Sequence, residues 1–275
     1  MERNSVENAL TVDVEDWFHV CGLAQEPTIS RRDSRVGATM EKLLALLAAH
    51  GVEATFFVLG SVAEEFPDLV RRIAAAGHEV ASHGYSHRLV SSISAAEFRE
   101  EIRRTDEILG RLSGTKPIGF RAPQWSLTAE TSWAFDILRE EGYRYDSSCT
   151  PLPLIGNPKA PRIPYRVAPT GGTMWEIPPM VTPTPLCNLP TGGGWGLRFF
   201  PRFVIRATIR KLNRGGAPAV LYLHPREFDP TGPRVPLSPL KSFATYGPRR
   251  DVSARVDDLL RRFRFRTLRD LVSLW

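Results

Sequence analysis

The first half of this chain alternates short apolar segments with longer segments of helical periodicity, and that alternation limits the possible folds. Segments 9–14, 54–59 and 79–81 are rich in β-branched, aromatic or small apolar residues, as is typical of buried strands. Residues 36–50 and 61–76, which lie between them, carry apolar side chains at helical spacing. Each strand–helix unit occupies about 25–40 residues. The pattern therefore predicts parallel βα units, in a barrel or a doubly wound sheet.

The alternation continues along the rest of the chain with one interruption. We expect helices at 94–112, 129–141, 201–213 and 253–263, strands at 117–120, 144–145, 174–177 and 219–223, and a last ordered segment at 267–274. Residues 150–200 are dense in proline and glycine, so we expect loops there, which often shape the binding surface of an enzyme. No G-x-G-x-x-G follows the first strand, which argues against a dinucleotide-binding fold.

Composition narrows the class of protein. A length of 275 residues allows one large α/β domain or two small ones. The net charge of +6 favours anionic surroundings, but no nucleic-acid module accompanies the basic cluster at 261–266, so no nucleic-acid partner is expected. Cys21, Cys149 and Cys187 are too few and too far apart for a disulfide framework. With no signal-peptide core and no membrane-spanning run, we expect a cytoplasmic protein, held at most at the inner membrane surface.

Two histidines four residues apart give the clearest chemical signal. His83 and His87 lie in the stretch S-H-G-Y-S-H, directly after the third predicted strand. Four residues is about one helical turn, so both imidazoles can converge on one point. Neutral imidazole is the commonest metal ligand in proteins near pH 7, and the spacing therefore predicts a metal site.

Polar residues also follow the other predicted strands at their carboxyl ends, which is where βα barrels build their active sites. They are Asp13, Glu15, Asp16, Arg121, Asp146 and His224. Two histidines and one carboxylate leave metal positions open for water and substrate, as catalytic zinc sites do. A second carboxylate can take a proton from water, and a histidine opposite can protonate a leaving amine.

These residues occur in five ordered motifs that resemble those of the NodB-homology polysaccharide deacetylases, carbohydrate esterase family 4. The motifs are T-V-D-V-E-D at 11–16, S-H-G-Y-S-H at 82–87, R-A-P-Q-W at 121–125, D-S-S at 146–148 and L-Y-L-H at 221–224. They span about four-fifths of the chain. The resemblance implies a distorted (β/α) barrel with about seven parallel strands. It also implies a metal-dependent hydrolase that removes N-acetyl groups from an amino sugar.

The resemblance also implies a role for each matching residue. Asp13 would be the general base with Arg121 as its ion-pair partner, and His224 the general acid, tuned by Asp146. His83, His87 and one acid of the first motif would hold the metal, with zinc expected first and cobalt, nickel or manganese as alternatives. A backbone N–H near Gln124 or Trp125 would help to stabilise the oxyanion. Trp125, Gln124 and Trp175 would contact the substrate.

The first motif departs from the family pattern, because D-V-E-D stands where the family usually has a D-D pair. Strand alternation places Asp13 and Glu15 on one face. A turn beginning at Val14 would bring Asp16 in instead, and Asp is the residue type of the family. We favour Asp16 as the third ligand and keep Glu15 open.

A narrower resemblance concerns the chain ends. D-V-E-D-W-F, H-P-R-E-F-D-P and an extended C-terminal region resemble the subgroup encoded with exosortase-type exopolysaccharide loci. We therefore expect a NodB-like barrel at 1–228 and a C-terminal extension packed on it at 229–275. The expected substrate is an amino-sugar glycan or its lipid- or nucleotide-linked precursor. The alternatives are an amidohydrolase acting on peptidoglycan or small cyclic amides, and a non-catalytic glycan-binding or assembly protein. The sequence does not indicate an oligomeric state.

Two further residues near these motifs have open interpretations. Glu176, in W-E-I-P-P, suits a substrate contact or a structural hydrogen bond equally well. Cys149 fits a small buried side chain better than a reactive thiol.

Overall fold

The computed structural model describes residues 6–19, 34–153, 155–247 and 252–275, and eleven strands lie within these ranges. In chain order they are β1 (Asn8–Val14), β2 (Thr55–Val58), β3 (Glu79–Ser82), β4 (Gly119–Phe120), β5 (Tyr145–Asp146), β6 (Tyr165–Val167), β7 (Met174–Glu176), β8 (Thr182–Pro183), β9 (Asn188–Leu189), β10 (Val220–Leu223) and β11 (Phe265–Arg266).

Ten α-helices accompany the strands in the described ranges. They are α1 (Val36–His50), α2 (Gly60–Glu65), α3 (Pro67–Ala75), α4 (Ala95–Ser113), α5 (Trp133–Glu140), α6 (Gly194–Phe199), α7 (Arg202–Arg214), α8 (Pro239–Tyr246), α9 (Ser253–Arg262) and α10 (Leu268–Ser273). None of these helices combines the length and the hydropathy that crossing a bilayer requires.

Nine of the strands form one sheet, in which seven neighbours run parallel in the order β10-β1-β2-β3-β4-β5-β7. β6 is antiparallel to β7, and β11 pairs with the first two residues of β1. The sheet curls into a half-barrel. This confirms the predicted distorted (β/α) barrel with about seven parallel strands. Because all carboxyl ends of the parallel strands meet at one edge, the residues that follow them lie close together.

Local sequence explains most of the element boundaries. α1 ends at Gly51, whose φ of 60° is the left-handed conformation that glycine adopts without steric cost. α4 begins with a capping box between Ser94 and Glu97. The single helix expected at 61–76 is two helices instead, because Pro67 lacks an N–H and starts a new helix as its first residue.

The second half of the chain holds more structure than expected. The hairpin of β8 and β9, together with β6 and α6, lies within the segment predicted to be mostly loops. Several side chains of the last 24 residues pack into the interior. Val256 and Leu260 belong to the main core, and Leu268 and Leu271 belong to a second core beside β1 and β2. Both halves of the chain therefore share one sheet and its packing.

Candidate active site

The turn after β1 decides which acidic side chain faces the histidines. Alternation along the strand puts Asp13 on the same side as Glu15, and the Glu15 N–H donates to the Asp13 carbonyl (3.0 Å). Glu15 Oε2 then lies 2.6 Å from His87 Nε2. Asp16 is directed elsewhere.

Three residues form a compact group that could hold a metal ion. Glu15, His83 and His87 are buried, and one ligand atom from each lies within 4.8 Å of the other two. His83 Nδ1 is 2.7 Å from the carbonyl oxygen of Arg121, which requires the proton on Nδ1 and leaves Nε2 as the free ligand atom. His87 has a φ of 61°, a left-handed conformation that is unusual outside glycine. The backbone is therefore held in a costly conformation to aim this imidazole.

The electrostatics of the group suit a cation. Burial alone would raise the pKa of Glu15, but the neighbouring imidazoles of His87, His224 and His83 hold it well below its usual range. Burial lowers the pKa of His83 to about 4. At neutral pH the site thus offers an ionised carboxylate and a neutral imidazole, the protonation states that metal binding needs.

Asp16, the residue that the family type favours as third ligand, is occupied at the start of α1. Its carboxylate accepts hydrogen bonds from the backbone N–H groups of Trp17 (2.8 Å) and Arg35 (3.1 Å) and from the Ser34 hydroxyl. The backbone of Asp16 is bound as well: its N–H donates to His19 Nδ1 (2.9 Å), and its carbonyl oxygen accepts from the His19 backbone N–H (3.1 Å). The structure therefore groups Glu15, not Asp16, with the two histidines.

Asp13 is fixed by a buried arginine. Arg121 Nη1 donates to Asp13 Oδ1 at 2.7 Å and to the Thr11 hydroxyl at 2.8 Å. The other guanidinium nitrogens donate to the backbone oxygen and hydroxyl of Ser147. The guanidinium carbon lies 4.2 Å from the ring centre of Phe57. Asp13 is held through one oxygen, so its second oxygen, Oδ2, is free to face the rest of the site.

His224 closes the opposite side. Its Nε2 lies 3.7 Å from Asp13 Oδ2 and 3.6 Å from Glu15 Oε1. Burial alone would lower the pKa of His224, but Glu227 and Glu15 raise it above its usual value. An imidazole whose pKa is raised, next to the Asp13 carboxylate, offers the acid and the base that acid–base catalysis requires.

The acid behind His224 is Glu227, which sequence reasoning missed. His224 Nδ1 and Glu227 Oε1 are 3.8 Å apart, and both atoms are buried without a hydrogen-bond partner. Arg198 Nε also lies 3.8 Å from this Glu227 oxygen. The second Glu227 oxygen accepts from the His224 backbone N–H (3.2 Å) at the start of a 3₁₀ turn. The sequence signal was present, because H-P-R-E places a glutamate three residues after the strand-ending histidine, as in a capping box.

Asp146, which the resemblance pairs with His224, makes different contacts. Its oxygens accept from the Ser148 hydroxyl (2.6 Å) and backbone N–H (2.9 Å), and Ser148 Oγ accepts from the Ala122 N–H (2.7 Å). Among the described residues, the carboxylates within 4.0 Å of the His224 ring nitrogens are those of Asp13, Glu15 and Glu227, and Asp146 is not one of them. Asp146 therefore supports the segment after Arg121, through Ser148, and not the His224 imidazole.

Glu176 lies beside Asp146 in a second buried acidic group. Oxygens of both, with the Cys149 sulfur, lie within 4.8 Å of one another. Burial and the Asp146 carboxylate hold the pKa of Glu176 well above its usual range, and burial also raises the pKa of Asp146. Glu176 accepts from the Cys149 N–H (3.0 Å), which is the structural hydrogen bond considered for it. Burial raises the pKa of the Cys149 thiol, as expected of a packed side chain.

The three predicted substrate contacts fall into two places. Gln124 and Trp125 have φ values of 51° and 58°, two successive strained residues directly after the Arg121 segment. The Trp125 ring lies 5.0 Å from that of Tyr222, which is 5.8 Å from His224. Trp175 is not brought to this site: its ring packs on Trp275, 4.9 Å away. Alternation along β7 turns Trp175 away from the side on which Glu176 meets Asp146.

Two protein-family models match successive segments of the chain. A family model described as polysaccharide deacetylase matches residues 33–145. This match covers 113 of the 275 residues and begins after the first motif at 11–16. A second model, described as a domain of unknown function (DUF3473), matches residues 147–273. The boundary between the deacetylase model and the second model passes through β5, so the second segment supplies β7, β10 and His224 to the same sheet and site.

Curated relatives match the chain over part of their length. It is 44% identical over 94 residues to a peptidoglycan-N-acetylglucosamine deacetylase of Bacillus cereus, covering 34% of each chain. It is 33% identical over 136 residues to a peptidoglycan deacetylase of Helicobacter pylori, covering 49% of this chain and 45% of that one. The alignments thus span less than half of these relatives.

Solved structures share the fold over both matched segments, 33–145 and 147–273. A Mycobacterium smegmatis protein assigned to the polysaccharide deacetylases superposes with a TM-score of 0.68 at 23% identity. PuuE allantoinase superposes with a TM-score of 0.67 at 18% identity. Each comparison covers 98% of this chain and 89% of the other. At these identities the likeness establishes the fold alone.

Proposed function

We propose that this protein is a metal-dependent deacetylase that hydrolyses the N-acetyl amide of an amino sugar. The observation that carries the proposal is the placement of the Glu15–His83–His87 group beside two acid–base residues, Asp13 and His224. A metal-binding group alone would suit many functions. Its combination with a carboxylate on one side and an imidazole on the other suits hydrolysis of an amide.

Glu15, His83 and His87 would hold the metal, with zinc as the first expectation and cobalt, nickel or manganese as alternatives. The donor set fits such an ion, because two imidazoles and one carboxylate are the protein ligands of many catalytic zinc sites. When bound, the metal would polarise the amide carbonyl and acidify a water molecule.

The chain's own residues would carry the proton transfers. Asp13, with one oxygen bound to Arg121, would take the proton from the attacking water through its free oxygen. His224 would give its proton to the amide nitrogen as the C–N bond breaks. The products are acetate and a free amine. The strained segment at Gln124 and Trp125 follows the Ala122 N–H that Ser148 anchors. The Trp125 N–H donates to the Ala122 carbonyl (3.3 Å), so the Gln124 N–H would be the donor to the oxyanion.

Glu227 would position His224 within this mechanism. A carboxylate facing Nδ1 fixes the proton on that atom and directs Nε2 toward Asp13 and Glu15. We assign to Glu227 the role that the family resemblance gives to Asp146. Asp146 would act instead through Ser148 on the segment that carries Trp125.

The substrate would be an amino-sugar glycan of an exopolysaccharide or its lipid- or nucleotide-linked precursor. Relatives named for deacetylation of peptidoglycan and of chitooligosaccharide support the amino-sugar class. The exopolysaccharide role rests on the resemblance of the first motif and of H-P-R-E-F-D-P to the exopolysaccharide-locus subgroup. A cytoplasmic location would make a precursor the reachable substrate.

Acetate release from N-acetylglucosamine oligomers by the zinc-loaded chain tests the proposal. Asp13→Asn and His224→Ala should each keep the metal and lose activity, whereas His87→Ala should lose both. Removal of the metal with a chelator should abolish release and zinc should restore it. Bound metal with no release from any N-acetylated glycan, and turnover of a cyclic amide instead, would assign the site to the other enzyme class. Absence of metal binding would overturn the proposal.

A further inference from the structure

A cluster of aromatic side chains lies at the surface where α6 meets α8. We call Trp195, Phe199, Phe200 and Phe243 the aromatic patch. Phe199 is 51% exposed and Phe243 is 40% exposed, although their ring centres are only 5.9 Å apart. Trp195 contacts Phe199, Phe200 and Phe243 at 5.4–6.0 Å. Several large apolar side chains that touch one another and also face solvent indicate an interaction surface.

α7 begins two residues after Phe200 in sequence, and its outward face is strongly basic. Phe203, Ala207, Arg210 and Arg214 recur at spacings of three or four residues, Lys211 lies beside Arg210, and all five are exposed. Phe203, on the first turn, is 70% exposed. Ile205 and Ile209 lie on the opposite side and belong to the main core. The helix thus uses its apolar side inside the protein and presents a phenylalanine and three positive charges to solvent.

The charge of this region is of one sign over a long stretch of sequence. Residues 177–226 contain seven arginines and lysines and no aspartate or glutamate. Among the described ion pairs, Arg206 is bound to Asp258, but Lys211 and Arg214 have no acidic partner. Their charge is therefore available to an external anionic surface.

The aromatic patch lies next to the carboxyl end of β10, the strand that leads to His224. Gly193 bridges to Tyr222, and Gly194, the residue before Trp195, sits against the Tyr222 ring. Tyr222 in turn contacts both Trp125 and His224. Whatever binds the patch is therefore brought close to the candidate active site.

We propose that the aromatic patch and the basic face of α7 dock on the surface of an anionic lipid bilayer. Phenylalanine and tryptophan rings enter the boundary between headgroups and acyl chains, while arginine and lysine beside them are attracted to anionic headgroups. The patch rings meet at angles of 37° to 84°, and the basic residues in the neighbouring helix favour an anionic surface over a neutral glycan. A second copy of this chain would place two basic faces together, which like-charge repulsion opposes.

If the proposed deacetylase function holds, docking would present the site to amino sugars carried on membrane lipids. The docking itself does not depend on catalysis. Binding to lipid can therefore be measured without any turnover, and its failure is distinguishable from a failure of the deacetylase assignment.

Sedimentation of the full chain with vesicles tests the docking. We expect binding to vesicles of phosphatidylcholine with phosphatidylglycerol and much weaker binding to phosphatidylcholine alone. Raising the salt concentration from about 0.1 to 1 M shortens the screening length from about 10 to 3 Å and should release the protein. Equal binding to both vesicle types, or no binding to either, would overturn the proposal.

Paired variants locate the surface. Phe199→Ser with Phe203→Ser, and separately Lys211→Glu with Arg214→Glu, should each weaken vesicle binding by at least about tenfold. Matched controls are Ile163→Ser, at a site that is 47% exposed, and Lys159→Glu, an exposed lysine elsewhere; both should bind like the wild type. Thermal unfolding checks that all variants fold. If the patch variants bind vesicles normally, or if they change only the oligomeric state of the protein, the assignment of this surface to lipid is wrong.

Discussion

At the scale of single residues, the direction of one carboxylate determines which acid can hold the metal. We expect Glu15→Gln to weaken zinc binding by more than the roughly 10–100-fold that loss of a supporting residue costs, because it removes a ligand. Asp16→Asn is the matched control. It should leave zinc affinity nearly unchanged and lower the free energy of unfolding by about 1.5–3 kcal/mol, since Asp16 accepts hydrogen bonds at the start of α1. Titration calorimetry and urea unfolding measure the two effects. The reverse pattern would make Asp16 the ligand.

Glu227 gives a second prediction at the same scale. Glu227→Gln should reduce kcat by about 100-fold, within the range that a positioned acid contributes, and leave KM and zinc affinity unchanged. Because Glu227 would act through His224, the double variant with His224→Ala should be no slower than His224→Ala alone. An additive loss, or a loss of zinc in Glu227→Gln, would show that Glu227 has another role.

Sequence reasoning reached the site residues that lie at, or just beyond, the carboxyl end of a strand. Asp13, His83, Arg121 and His224 meet in the structure because parallel strands end at one edge, a property that alternation in the sequence already implies. Other positions depend on geometry that no pattern records. The choice of Glu15 over Asp16 follows from the turn after β1, and the approach of Glu227 to His224 follows from a 3₁₀ turn that begins at Pro225.

At the scale of elements, the pairing of β5 with β7 brings two buried carboxyl groups together, those of Asp146 and Glu176. Because the folded state raises the pKa of Glu176, Glu176 keeps its proton when folded at a pH where the unfolded chain has lost it. The contribution of Glu176 to the stability of the wild type should therefore fall as pH rises above about 4.5, the ordinary pKa of glutamate. Glu176→Gln, which cannot ionise, should become more stable relative to the wild type from pH 5 to pH 9.

Urea unfolding of the metal-free proteins across that pH range measures the difference. Glu107→Gln, which replaces an exposed carboxylate on α4, is the control and should follow the wild type at every pH. A constant difference between Glu176→Gln and the wild type would mean that Glu176 is ionised throughout.

Elements were predictable from sequence where they are long and periodic. α1 and α4 begin and end within a residue or two of the expected positions, because their apolar spacing and caps are local signals. α6 was missed, since G-W-G-L-R-F carries two glycines and little helical propensity. β11 has only two residues and exists through its pairing with β1, which no local pattern encodes.

At the scale of the whole molecule, the expected division at residue 228 can be tested directly. The described part of residues 229–275 places eight aliphatic or phenylalanine side chains in the interior, namely Val252, Val256, Leu259, Leu260, Phe265, Leu268, Leu271 and Val272. At about 1.5–3 kcal/mol each, their burial contributes roughly 12–24 kcal/mol, which exceeds the total stability of most domains. We expect the fragment 1–228 to show no cooperative unfolding transition.

Point variants within the same region provide the comparison. Leu268→Ala should stay folded and lose about 2–5 kcal/mol, because Leu268 is fully buried beside β1 and β2. Leu274→Ala, at a site that is 66% exposed, should change stability little. A fragment 1–228 that unfolds cooperatively would show that residues 229–275 are an appendage to an independent domain.

The central position of β1 affects how this chain can be made on the ribosome. β1 is translated first, yet it pairs with β10 and β11, which follow it by more than 200 residues. At about 5–20 residues per second, a nascent β1 waits roughly 10–40 s for β10 to emerge. During that interval β2 can cover only one of its edges, and the other exposes unpaired backbone N–H and C=O groups. Asp13 and Glu15 are thus synthesised more than 200 residues before His224, and they can meet it only after β10 has left the exit tunnel.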